Sequence, residues 1–268
     1  MISLRNFAKL VASLIFVVSL SSLAHGQPAA AFVSSGGSDL NTPCARATPC
    51  RNLQAAVDAV AAKGQVTILD SAGYGAVTIA KSVIINAYPG VVAAINSTSG
   101  TAISITAGNV IISGLKINGN GTATTGISVV GTQAVVENCD ITGFGFGVSV
   151  GNNSAISKLD LINSNLYYNG TAVFSNGQGA NFPGNMTVAS VSMVRINGGN
   201  ITQNVAGVEM RSPGAANLAN VALFTGGANT GNVNLIGNVF NVVCTVTPMC
   251  NPQPITYAFN SGYTNSGP

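Results

Sequence analysis

The sequence predicts an all-β protein, folded as a right-handed parallel β-helix (a solenoid) with an N-terminal capping α-helix. Two observations predict this fold. Short β-rich segments, punctuated by glycine and asparagine, repeat in register along the chain, and one amphipathic helical pattern precedes them. A repeat of this kind indicates coils that bury their apolar faces against their neighbours, so that a continuous core runs along the stack.

The repeat is clearest where segments beginning at Val110, Ala134, Leu159 and Val194 are aligned over eight residues. Side chains alternate along a strand, so columns of apolar or small residues two positions apart are expected to face inward. Asparagine in the turn column is expected to adopt unusual backbone angles and to form a ladder from coil to coil. The inward columns are Val110, Ala134, Leu159 and Val194; Ile112, Val136, Leu161 and Ile196; Leu115, Cys139, Ser164 and Gly199; and Ile117, Ile141, Leu166 and Ile201, with the turn at Gly114, Asn138, Asn163 and Gly198.

A further strand follows the next turn of each coil, in segments that begin at Gly126, Gly147, Ala172 and Gly207. Each coil therefore contains two or three short strands. A sandwich or closed barrel is the alternative fold, but it does not account for turns that also align from segment to segment. The single β-helix domain is expected to span 27–250, followed by a tail at 251–268.

One helix is predicted at about 49–63, before the repeats. Pro49 suits its first turn, and an apolar face is formed by Leu53, Ala56, Val57, Val60 and Ala61. Such a helix would cover apolar side chains that the first coil otherwise exposes, which is the role of a capping element in a solenoid.

Residues 1–26 are predicted to be a secretory signal peptide, with cleavage as late as residue 31 as an alternative. Arg5 and Lys9 precede an apolar run from Leu10 to Val18. Removing this segment takes away the only histidine and leaves eight basic against seven acidic residues, a net charge of about +1. We therefore expect a secreted or periplasmic protein that does not bind nucleic acid and has no integral membrane segment once the signal peptide is removed.

The five cysteines divide by position into two local pairs and a single residue. Export permits disulfides, and we predict Cys44 with Cys50 and Cys244 with Cys250 as staples near the two ends. Cys139 occupies an inward column and is predicted to be a small core residue. No metal site is expected, because the mature chain has neither histidine nor a Cys-x-x-Cys pair.

The segment from Phe32 to Cys250 resembles secreted β-helix repeat proteins of the pectate-lyase-like superfamily. The resemblance rests on Phe32-Val33-Ser34-Ser35-Gly36-Gly37, on Thr48-Pro49-Cys50 before the helix, on Asp70-Ser71-Ala72-Gly73-Tyr74-Gly75, and on the coils. It implies the architecture more strongly than an activity, because one fold hosts many functions.

The resemblance also implies what a catalytic site would contain. Lyases of this class act on acidic polysaccharide with calcium held by acids and with an Arg or Lys base, whereas the related hydrolases use clustered Asp residues and a histidine that the predicted mature chain lacks. The lyase candidates are Glu137, Asp160 and Arg195 on the outer columns, with calcium as the only cofactor to consider. The simpler interpretation is a surface ion pair between Asp160 and Arg195, like one between Lys116 and Asp140.

Exposed aromatic side chains give a different prediction, because sugar rings stack on them. Tyr167 and Tyr168 follow the inward Leu166, and Phe182 lies in a predicted inserted loop at about 176–186; a second insertion is predicted at about 212–231. We therefore expect a protein that binds polysaccharide or cell-envelope material through its outer face and loops, without catalysis. A polysaccharide lyase and a structural spacer or adhesin are the alternatives.

Overall fold

A computed structural model describes residues 26–151, 156–176, 191–212, 218–224, 233–238 and 240–246. The predicted signal peptide, Phe182, Cys250 and the tail at 251–268 lie outside these ranges, apart from Gly26. The described residues form one helix and an 18-stranded sheet. The helix is α1 (Leu53–Ala59), and the strands are β1 (Ala30–Val33), β2 (Gly64–Ile68), β3 (Ala72–Gly73), β4 (Val77–Ile79), β5 (Val83–Ala87), β6 (Ala93–Asn96), β7 (Thr101–Ile105), β8 (Asn109–Ser113), β9 (Leu115–Val129), β10 (Gln133–Glu137), β11 (Asp140–Gly151), β12 (Ser157–Tyr167), β13 (Thr171–Asn176), β14 (Val191–Thr202), β15 (Ala206–Ser212), β16 (Leu218–Phe224), β17 (Val233–Ile236) and β18 (Phe240–Val246).

The strands pair in parallel and build three ladders that run along the stack. The first ladder contains β1, β2, β5, β8, β10, the beginnings of β12 and β14, and β16. The second contains β3, β6, the beginnings of β9 and β11, the ends of β12 and β14, and β17. The third contains β4, β7, the ends of β9 and β11, β13, β15 and β18. The sheet is thus all parallel and curled into a half-barrel, as in a β-helix-like solenoid.

The predicted inward columns form the core. Val110 pairs with Ala134, Ala134 with Leu159, and Leu159 with Val194, as the alignment predicts. These four residues are at most 4% exposed, and the column that begins at Ile112 is equally buried. Because the coils align without offset, each apolar side chain meets its equivalent in the next coil and the core is continuous.

The predicted turn column is confirmed by its backbone angles. Gly114, Asn138, Asn163 and Gly198 have φ of 75°, 52°, 47° and 73°, the left-handed region that glycine and asparagine tolerate best. The expected asparagine ladder does not form in this column of the described residues, where no hydrogen bond joins the exposed side chains of Asn138 and Asn163. An interior ladder lies at another corner of the coil, described below.

The helix is shorter than the predicted 49–63. Cys50 instead bridges Val33 and exchanges backbone hydrogen bonds with β1, which holds the chain extended until Asn52, and at the other end Gly64 already belongs to β2. The predicted apolar face is confirmed for Leu53, Ala56, Val57 and Val60, which are buried against the first coil. The predicted disulfide between Cys44 and Cys50 is present. The second predicted pair is not described, because Cys250, the partner of Cys244, lies outside the described residues.

Two of the sequence segments on which the resemblance rests, 32–37 and 70–75, meet beside this helix. The Asp70 carboxylate accepts hydrogen bonds from the Ser35 backbone N–H at 2.9 Å, the Ser35 hydroxyl at 2.6 Å and the Ser34 hydroxyl at 3.1 Å. It also accepts from the hydroxyl of the buried Tyr74. Burial acts to raise the pKa of Asp70, but these hydrogen bonds outweigh it and lower the pKa to about 2.

The coils extend further than the alignment predicts. Strands β2 to β7 add coils before Val110, where irregular connections such as Tyr88-Pro89-Gly90 hide the repeat. The predicted insertion at 212–231 is wrong in part, because it contains β16, which pairs with β14 in the first ladder. Six of the seven residues of β16 are apolar, and this short apolar segment forms a strand once β14 supplies the hydrogen-bonding edge.

Candidate functional site

The predicted pair Asp160 and Arg195 lies on neighbouring strands of the first ladder, with directly paired backbones. The Arg195 Nε donates to Asp160 Oδ1 at 2.6 Å, and its terminal nitrogen contacts the other carboxylate oxygen. This bidentate hydrogen bonding raises the pKa of Arg195 above its ordinary value. The guanidinium is therefore held in its protonated form, the opposite of what a base requires.

Glu137 is on the same outer face but in a different column. Its backbone pairs with Ile162, two residues beyond Asp160, and with Ser113 on the other side. Among the described residues, its carboxylate has no hydrogen-bond or ion-pair partner. The three predicted lyase residues thus share a ladder, but the structure brings together only Asp160 and Arg195.

Tyr167 and Tyr168 form an aromatic ridge where β12 ends. Their ring centroids are 5.7 Å apart in an edge-to-face arrangement with an interplanar angle of 76°. Tyr167 is half-buried, whereas Tyr168 is 62% exposed. The predicted outward aromatic residue is therefore Tyr168; the third candidate, Phe182, lies outside the described residues.

Tyr168 borders an open groove of about 670 Å³ at the corner between the second and third ladders. The groove crosses several coils along the stack. Glycines, amide side chains and aromatic side chains line it. The lining residues are Gly121, Gly143, Phe144, Gly145, Tyr168, Asn169, Gly170, Gln203, Asn204, Val205 and Gly237.

A column of left-handed residues shapes this groove. Thr142, Tyr167, Thr202 and Ile236 are paired in register, so the residues that follow them stack at the corner. These are Gly143, Tyr168, Gln203 and Gly237, with φ of 77°, 55°, 58° and 73°. The left-handed backbone turns the next residue inward in each coil. In this column the side chains of Tyr168 and Gln203 project outward, and the positions on either side of them are glycines.

The inward residues after this column form an interior amide ladder beneath the groove. Asn204 Nδ2 donates to Asn238 Oδ1 at 3.0 Å and to the carbonyl oxygens of Leu166 and Thr202 at 2.9 Å, and Asn169 Nδ2 donates to Asn204 Oδ1 at 3.1 Å. Asn169 and Asn204 are 3% and 2% exposed. Buried amides that are satisfied in this way fix the corner geometry, because breaking any one leaves a polar group without a partner.

The rim of the groove carries polar groups that remain free for a ligand. Among the described residues, neither the Tyr168 hydroxyl nor the Gln203 side-chain amide has a hydrogen-bond partner. Gln203 is exposed, and the neighbouring Val205 is 56% exposed. The groove therefore offers an aromatic face, an aliphatic side chain and an uncharged donor and acceptor over a rigid floor.

A smaller pocket of about 220 Å³ lies on the other side of the aromatic ridge, where Tyr167 forms part of its wall. Its charged residues are Lys116 and Asp140, which form an ion pair across neighbouring coils, as predicted. The other Asp140 oxygen accepts from Asn165 Nδ2 at 2.7 Å, and Asn165 Oδ1 accepts from Asn200 Nδ2 at 2.8 Å. These polar groups are thus engaged with one another along the outer face.

Within the described ranges, no group of three or more His, Cys, Asp or Glu side chains could hold a metal ion. In the same parts of the chain, no helix has the length and apolar character needed to cross a membrane.

The interior asparagines were not identified from the sequence, although a signal was present. Asn169, Asn204 and Asn238 each come three residues after an inward Leu or Ile of the second ladder, with separations of 35 and 34 residues. A search for an apolar-x-x-Asn pattern at the coil spacing would have found them. The exposed Gln203 and the groove itself carry no comparable sequence signal.

Comparison of the chain with protein-family models, curated proteins and solved structures found no match.

Proposed function

We propose that this chain is an exported, right-handed parallel β-helix protein of the pectate-lyase-like class that binds polysaccharide or cell-envelope glycan without catalysing a reaction. The observation that carries the proposal is the open corner groove, in which Tyr168 presents an exposed aromatic face above a fixed amide floor. Other parts of the outer face and the inserted loops would extend the contact.

The fold part of the proposal is supported by the ladders. Three parallel ladders and glycine- or asparagine-rich corners are what a parallel β-helix requires. The right hand follows from the general rule that connections between parallel strands of one sheet are right-handed in nearly all proteins. Export is supported by the Cys44–Cys50 disulfide, since such bonds persist in oxidising compartments.

The binding part is supported by the match between the groove and a sugar chain. Pyranose rings have apolar C–H faces and hydroxyl edges, so they suit a surface that combines an aromatic ring with amide groups. The Tyr168 ring and Val205 offer apolar contact, and Gln203 offers a donor and an acceptor within the same groove. The glycines at 143 and 237 leave space on both sides of these side chains.

The absence of catalysis is proposed from the state of the lyase candidates. A calcium ion usually takes six to eight oxygen ligands. Here Asp160 is already bound to Arg195 by two hydrogen bonds, and Glu137 lies in another column. This arrangement leaves neither a carboxylate cluster for calcium nor an unprotonated base.

A glycan panel tests the binding function. We expect the full chain to bind at least one polysaccharide, and Tyr168→Asn to weaken that binding about tenfold or more, the equivalent of about 1.4 kcal/mol. Tyr88→Ala is the matched control, because Tyr88 is 48% exposed and outside the groove. Failure to bind any polysaccharide would contradict the proposal and favour a structural spacer or adhesin.

A separate assay tests the absence of catalysis. The protein would be incubated with polyuronates and calcium, and unsaturated product followed by ultraviolet absorbance. We expect no product. Product that disappears in Arg195→Ala would establish a polysaccharide lyase instead.

A further inference from the structure

The groove is uncharged along its whole described length. Apart from the Tyr168 phenol, its lining contains no ionisable side chain. On the second ladder, Lys116 and Asp140 line the other pocket and form an ion pair with each other. Arg195 is likewise paired with Asp160 on the first ladder. Among the side chains that the structure describes, the groove lining therefore has no fixed positive charge to balance an acidic ligand.

We propose that the groove selects an uncharged, extended glycan chain that lies along the axis of the stack. The inference rests on the proposed glycan-binding function and names the ligand class of the same site. A carboxylate placed against this lining would lose hydration without gaining an ionic partner, whereas a hydroxyl exchanges water for an amide or phenol at little cost. The lining thus favours a neutral sugar over a uronic acid.

The orientation follows from the stacking of the lining residues. Gly121, Gly143, Tyr168, Gln203 and Gly237 belong to successive coils, and coils of a parallel solenoid rise by about 4.8 Å. The groove therefore extends about 20 Å along the axis. A sugar chain that lies along the axis would therefore contact side chains of several coils at once.

Calorimetric titration of the full chain tests this inference. The probes are cello-, manno-, xylo- and N-acetylglucosamine oligosaccharides from disaccharide to hexasaccharide, with oligogalacturonates of the same lengths. We expect one neutral series to bind, with affinity that rises to about the pentasaccharide and changes less than twofold beyond it. Oligogalacturonate should bind at least tenfold more weakly, and the neutral Kd should change less than about twofold between about 50 and about 500 mM NaCl.

Two substitutions test whether binding occurs at the groove. Tyr168→Asn should weaken binding of the neutral series tenfold or more. Gln203→Asn, which introduces a residue that tolerates a positive φ but shortens the amide side chain, should weaken it several-fold. Tyr88→Ala should leave it unchanged.

The outcomes separate the two proposals. Preference for oligogalacturonate, or a tenfold loss of affinity in high salt, would overturn the neutral-chain inference and leave glycan binding intact. Affinity that saturates at the disaccharide would overturn the axial orientation. The absence of measurable binding to every oligosaccharide and every polysaccharide of the panel would overturn the proposed binding function itself.

Discussion

The side-chain nitrogen of Asn169 lies 3.1 Å from Oδ1 of Asn204 and donates to it inside the stack, and the Asn169 backbone N–H donates to the same oxygen at 2.9 Å. One buried amide oxygen thus joins two coils that are 35 residues apart in sequence. This contact fixes the corner from which Tyr168 and Gln203 project. The stability of the solenoid and the shape of its groove therefore depend on the same side chains.

The first prediction concerns this ladder. Asn204→Ala should lower the free energy of unfolding by about 2 to 4 kcal/mol, because it leaves buried polar groups of two neighbouring coils without a hydrogen-bond partner. Asn200→Ala is the matched control, since Asn200 belongs to β14, which ends two residues before Asn204, but faces outward, and its loss should cost less than about 1 kcal/mol. Urea unfolding followed by circular dichroism measures both. Equal effects of the two changes would contradict a structural role for the interior amides.

A second prediction concerns the backbone of Tyr168. Its φ of 55° is unfavourable for a tyrosine, and its side chain is largely exposed. Tyr168→Asn should therefore change the free energy of unfolding by less than about 1 kcal/mol, since asparagine tolerates this conformation. Tyr168→Val should destabilise by about 1 to 2 kcal/mol more, because β-branched residues resist a positive φ. If valine is tolerated as well as asparagine, the residue is not left-handed in solution.

A third prediction concerns acid stability. The folded-state pKa of Asp70 is lowered to about 2, so its ionised form stabilises the fold at any pH above the unfolded-state value of about 4. This contribution should be lost as the pH falls from about 4 to about 2. We expect Asp70→Asn to be less stable than the wild type at neutral pH and to lose less stability over this interval. Asp58→Asn, an exposed position on α1, should retain the steeper wild-type fall in thermal unfolding temperature.

A fourth prediction concerns Cys139. Burial raises the pKa of its thiol to about 12, and its side chain has no solvent exposure. The thiolate that reacts with alkylating reagents is therefore scarce and shielded. Iodoacetamide at pH 8 should leave Cys139 unmodified in the folded protein and modify it fully in denaturant, as measured by peptide mass spectrometry. Rapid modification under native conditions would contradict its place in the core.

The ladders could be predicted because their signal is repeated in every coil. Alternation selects the inward positions, and equal spacing between a turn and its flanking strands places Ala134 beside Val110 and Leu159. The pair Asp160 and Arg195 followed from the same columns, since backbone register decides which outward residues are neighbours. The region before Val110 was included in the predicted β-helix domain but could not be aligned coil by coil, because its connections vary and leave no such columns.

The groove could not be predicted in the same way. Its shape depends on the left-handed backbone of Tyr168 and Gln203, two residue types for which a positive φ is uncommon. Only the packed corner shows that these residues stack between glycines and that Asn169 and Asn204 turn inward. The helix ends illustrate the same limit, because the bridge from Cys50 to Val33 overrides a local helical pattern.

The most direct test of the corner groove as the ligand site is hydrogen exchange of the full chain with and without a mixture of cellohexaose, mannohexaose, xylohexaose and N-acetylglucosamine hexasaccharide. Backbone amides protected by a bound chain exchange more slowly. We predict slower exchange in peptides that contain 143–145, 168–170 and 203–205. Slower exchange confined to the first-ladder peptides around Glu137, Asp160 and Arg195, or no change anywhere, would contradict the account.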